Sequence, residues 1–142
     1  MRILGALIVA GLVLSACGSV TPSVATKRWM SQSAFASARR TLIDDTVRAE
    51  RVLKDPAGTA SQRHTVCEVL YSDSSAAISA LPTPDTQAND LLNAAYTHLG
   101  RGAQICFVAA TMTLRRVAVI ELNRGLANLS FATIRLGVVV GA

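Results

Sequence analysis

The chain has 142 residues, 14 Lys and Arg against 9 Asp and Glu for a formal net charge of +5, and 51% hydrophobic but only 4% aromatic side chains. That is one domain's worth of chain, and a core so poor in aromatics must be built mostly from Ala, Val, Leu and Ile, a composition that suits close-packed helices. The basic residues are nearly all arginine and are spread from Lys27 to Arg135 with no lysine-rich block, so no nucleic-acid partner is expected.

Arg2 precedes an uncharged apolar run over residues 3–14, and Leu14-Ser15-Ala16-Cys17 follows. This is the order of a secretory signal: a charged start, a short apolar segment and a small-residue cleavage site. At about a dozen residues the run is well short of the roughly 20 that a membrane-spanning helix needs. The four residues ending at Cys17 resemble the lipobox of bacterial lipoproteins. The resemblance implies that residues 1–16 are removed, that the Cys17 thiol is lipidated and its new amino group acylated, with palmitate among the acyl groups, and that the chain is held on the extracytoplasmic face of the cell membrane. Loss of Arg2 leaves 13 basic and 9 acidic residues, a net charge of +4.

Residues 17–26 are small and polar, interrupted by Pro22, and read as a flexible linker. The domain is expected over residues 27–137. Trp29 is read as the first anchor of its core. Phe35, Ala38, Leu42, Thr46, Ala49 and Leu53 recur at three- and four-residue spacing and predict one helix from about residue 27 to 55. Arg40–Asp44, Asp44–Arg48 and Glu50–Lys54 fall at i,i+4 on its outer face. The adjacent acids Asp44 and Asp45 point about 100° apart on such a helix, so they are not expected to form a pair.

Asp55-Pro56-Ala57-Gly58 ends that helix, and Thr59 with Gln62 reads as a capping box opening a second. Val66, Leu70, Ala77 and Leu81 mark its stripe, and the Ser72–Ser75 run predicts a bend or break within it. Pro82-Thr83-Pro84 separates the second helix from a third, with Thr83 as the expected cap. The third carries Ala88, Leu92, Ala95, Leu99, Gly102 and Cys106 on one face. Ala118, Leu122, Gly125, Leu129, Ala132 and Leu136 form the stripe of a fourth, after a turn expected near residues 109–113. Residues 138–142 read as an apolar tail. The predicted fold is all-α, an antiparallel four-helix bundle.

With Cys17 committed to lipid, Cys67 and Cys106 remain, and in an oxidising compartment two cysteines read as one disulfide. A tight fold-back at Pro82–Pro84 would set Cys67 opposite residue 98, about 12 Å along the helix from Cys106, so the bond and a break in the second helix are expected together. His64, Cys67, His98 and Cys106 make the tally of a zinc site, but His98 and Cys106 stand two turns apart, and no metal or other cofactor is expected. His64 with Glu68 reads as a surface pair. No catalytic motif occurs, so no enzyme activity is expected. The chain as a whole resembles small helical lipoproteins of arginine- and alanine-rich actinobacterial proteomes, a likeness of layout that transfers no activity. Two roles fit. One is an envelope interaction module that meets a protein partner through an apolar patch, with Val138-Val139-Val140 the candidate. The other is a carrier or sensor of an apolar small molecule or lipid, held in space left by Gly100, Gly102, Ala103, Ala109 and Ala110.

Overall fold

The stripes of apolar residues become helices throughout residues 20–141, the part of the chain that the computed structural model describes. The signal segment, Cys17 and Ala142 lie outside the described residues. Within them the structure is all-helical, with no strand: α1 Pro22–Gln32, α2 Phe35–Lys54, α3 Ala60–Ile78, α4 Thr86–Phe107 and α5 Met112–Gly141. The core is leucine and alanine, as the composition demands. Leu42, Leu53, Leu70, Leu92, Leu99, Leu122, Leu129 and Leu136 are fully buried.

α1 corrects the linker expected at residues 17–26. Pro22 does not break a helix here but occupies its first turn, where no amide partner is required, and the Thr21 hydroxyl accepts from the Val24 amide. Residues 22–26 are therefore helical, and Thr26 is buried. The single helix expected over residues 27–55 is also two helices. Ala34 has φ 49°, in the left-handed region, a conformation that costs a non-glycine residue roughly 1 kcal/mol. The turn folds α1 across α2, so that Trp29 and Phe35 pack with ring centroids 5.5 Å apart. Trp29 Nε1 donates to the carbonyl of Ala80 at 2.9 Å, tying α1 to the end of α3.

Thr59 and Gln62 form the expected capping box. The serine run does not interrupt α3. Ser74 and Ser75 donate their hydroxyls to the carbonyls of Leu70 and Tyr71 four residues earlier, at 2.7 and 2.9 Å, which satisfies them within the helix. The disulfide forms nevertheless, with Cys67 and Cys106 Cα atoms 6.0 Å apart. What absorbs the mismatch is the connection. α3 ends only 11 residues after Cys67, whereas α4 begins 20 residues before Cys106, so α4 overshoots α3 by about 13 Å. Residues 79–85, a turn followed by an irregular segment, span that gap. Asp85, not Thr83, caps α4, accepting from the Ala88 amide at 2.8 Å; Thr83 donates its hydroxyl to the Asp85 carbonyl instead.

α4 turns into α5 through residues 108–111, and the Thr111 hydroxyl accepts from the Leu114 amide. These two helices share the largest helix–helix contact. Leu122 lies over Gly102 and Leu99 over Gly125, the reciprocal order of a helical hairpin. α5 does not end in a tail at residue 138 but runs to Gly141, about 45 Å in all. It packs on α1, α2 and α4.

Candidate functional site

A cavity of about 370 Å³ opens where α1 to α4 converge. The turn at Ala34 places Trp29 and Phe35 on one wall, and α4 supplies Tyr96. Small residues of α3, Ala76, Ala77 and Ala80, leave the space, and Asp73 is the one charged residue in the lining. Ser37, Thr41 and Ala76 are exposed and bring the cavity to the surface. Burial pushes the Tyr96 phenol up to about 12.

Just beyond Leu42 on α2 lies Asp45, only 5% exposed. Its carboxyl meets that of Asp73, and Arg48 NH1 reaches Oδ1 at 3.5 Å while no donor reaches Oδ2. Burial first, then the contact with Asp73 and the charges of Asp73 and Asp44, raise Asp45 to about 6, against the opposing pull of Arg48. Asp44 is exposed. Asp44 and Asp45 thus diverge as helical geometry requires, but Asp45 meets an acid from another helix. That contact was not legible locally. Of the three ion pairs expected along α2, Glu50–Lys54 forms, and Arg48 turns to Asp45 rather than Asp44.

Two polar clusters stitch helices together. His98 on α4 lies 2.7 Å from Glu121 Oε2 on α5, and Arg124 donates to Glu121 Oε1 at 3.0 Å. The bond from His98 holds the buried Glu121 carboxyl below its ordinary range, burial opposing and Arg101 and Arg124 assisting. Arg135 grips Asp85 with both Nε and NH2, at 3.0 and 2.7 Å, which also lowers Asp85. The residues tallied for zinc are thereby divided. Cys67 and Cys106 bond to each other, His98 meets Glu121, and His64 sits 3.7 Å from Glu68 with its ring against Phe107. Among the described residues, no cluster of His, Cys, Asp and Glu is placed to hold a metal ion.

Compared with known protein families, curated proteins and solved structures, the chain matches none. Its own surfaces must therefore carry the functional reading.

One of these surfaces is the outer face of α5. Val117, Ile120, Phe131, Ile134 and Val138 are all exposed, Phe131 and Val138 at 59% and Ile134 at 62%. With Arg124 and Ala127 between them they recur at alternating three- and four-residue steps, the spacing of a coiled-coil seam. The buried stripe from Ala118 to Leu136 runs beside it, so α5 is apolar on two faces. The sequence pattern holds both series, offset from each other, and the expected stripe from Ala118 to Leu136 is the buried one. Of the expected patch, Val138 is exposed while Val139 and Val140 are half-buried. Of the small residues expected to leave a cavity, Gly102 has its space filled by Leu122, while Gly100 lines a separate open cavity of about 400 Å³ with Tyr71, Thr97 and Arg101. Among the described residues, no helix is long and apolar enough to cross a membrane.

Proposed function

We propose that the protein is lipid-anchored through Cys17 on the extracytoplasmic face of the cell membrane. In this reading α2 to α5 form an antiparallel four-helix bundle whose role is to meet another envelope protein along the outer face of α5. The observation that carries it is that exposed seam, since a helix apolar on two faces leaves one to be covered. A neighbouring contact supports the pairing of anchor and seam. The Ser23 hydroxyl donates to the Val140 carbonyl at 3.1 Å, so α1 begins beside the C-terminal end of α5. Four peptide links join Cys17 to Thr21, roughly 14 Å at full extension, which keeps Val138 and Ile134 close to the lipid surface. Arg124 and Arg135 of α5 are already held by Glu121 and Asp85, and Arg115 donates to the Asp55 carbonyl, so what the seam asks of a partner is a helix with an apolar stripe.

Metabolic labelling with radioactive palmitate tests the anchor. Wild type takes up label on a shortened chain, and Cys17→Ser accumulates as unlabelled precursor; label on the Cys17→Ser protein contradicts the anchor. The aromatic-walled cavity favours a second reading, a carrier or sensor of an apolar small molecule. Saturable quenching of Trp29 by a neutral apolar ligand would support it.

A further inference from the structure

We infer that the cavity between Trp29, Phe35 and Tyr96 binds an organic ammonium ion, its apolar body against the rings and its charge toward Asp73. The inference deepens the second reading above, on which it rests for the cavity being a ligand site, and changes the chemical class of ligand. Three observations carry it. Of six aromatic residues in the entire chain, three wall this one cavity, and aromatic faces attract cations through their quadrupole. The chain has more basic than acidic residues, yet among the described residues the only charged side chain in the lining is the acid Asp73. The buried Asp45, in contact with Asp73, has an oxygen that no donor among the described residues reaches.

Two carboxyl groups in contact cannot both ionise cheaply. Of the other charged groups around Asp45, Asp44 is an acid, and Arg48 reaches only Oδ1 and only at 3.5 Å. A cation seated on Asp73 supplies the missing counter-charge. The volume, about 370 Å³, lies in the range of small-molecule sites. The left-handed Ala34 sits at the rim between Ser33 and Phe35, and it is this turn that brings Trp29 over the site.

Trp29 is the only tryptophan, so its emission reports binding without a label. The full-length protein in lipid nanodiscs is titrated with choline and with 3,3-dimethylbutan-1-ol, a neutral alcohol of nearly the same shape. Choline is expected to change Trp29 emission saturably, with the alcohol at least tenfold weaker. Asp73→Asn is expected to weaken choline at least tenfold while leaving the alcohol and the helical circular dichroism unchanged. Equal affinity for the two probes, or undiminished choline binding by Asp73→Asn, overturns recognition of charge and leaves the apolar-carrier reading standing. Saturation by neither probe overturns both.

Discussion

Asp45 is a buried acid in contact with a second acid, Asp73, and held by Arg48 only at 3.5 Å, and this gives the protein a pH dependence of definite sign. The group titrates near 3.8 when unfolded and near 6 when folded. The folded state therefore keeps the proton to higher pH, and the stability associated with the protonated form is complete below about pH 4 and lost as pH rises through about 6. Asp45→Asn fixes the neutral form. It is expected to stabilise the protein by up to about 3 kcal/mol at pH 8 and to give no advantage at pH 4. Urea unfolding at both values checks this; the same increment at both contradicts it. Asp85 behaves in the opposite sense, since the Arg135 bond depresses it and its contribution is lost as pH falls. It also caps α4, so Asp85→Ala is expected to cost about 2 kcal/mol and Arg135→Ala clearly less, as measured by chemical denaturation at neutral pH. Equal costs would mean that the cap contributes nothing.

At the scale of elements, the α4–α5 hairpin depends on the absence of two side chains. A Cβ at Gly102 would stand 2.6 Å from Leu122 Cδ2 and 3.1 Å from its backbone nitrogen, and one at Gly125 would stand 2.6 Å from Leu99 Cγ and 3.0 Å from its nitrogen. Leucine side chains can rotate away, but the backbone nitrogens cannot without parting the helices. Gly102→Ala and Gly125→Ala are expected to destabilise by about 1 to 3 kcal/mol, outweighing the helix-propensity gain of about 1 kcal/mol. Gly137→Ala meets nothing within 4 Å and should stabilise by about 0.5 to 1 kcal/mol. Thermal melts of the three variants discriminate; stabilisation in all three would mean that the hairpin is loosely packed.

The same elements show what the chain disclosed in advance. Leu42, Ala49 and Leu53, or Leu92 and Leu99, announced their helices because burial on one face imposes its own period. The capping box at Thr59 and Gln62 was legible because its partners are three residues apart. The Ala34 turn was not, because no glycine marks it and its cause is the distant docking of Trp29 on Ala80. Nor was the Asp45–Asp73 contact, which joins two helices through packing alone. Thr83 was the expected cap of α4, but Asp85 serves both its own helix and Arg135 on α5, a requirement invisible in the local pattern. Of the candidate site, the aromatic residues were visible individually and their convergence was not.

For the molecule as a whole, the Cys67–Cys106 bond closes a loop across a sequence separation of 39 in a core with few aromatics to bury. In the entropic model such a link contributes about 4 kcal/mol, so reduction is expected to lower the melting temperature by on the order of 10 to 20 °C while the far-ultraviolet helical signal persists below the transition. An unchanged melting temperature after verified reduction would show that the helix contacts alone hold the fold. The lipid-anchored role is tested most directly by placing a photocrosslinking amino acid at Ile134 in living cells, with Tyr71, exposed on α3, as the control position. A discrete adduct with one envelope protein is expected from position 134, absent from position 71 and lost when Cys17 is changed to serine. Equal adducts from both positions, or an undiminished adduct from the Cys17→Ser protein, contradict a membrane-anchored partner surface on α5.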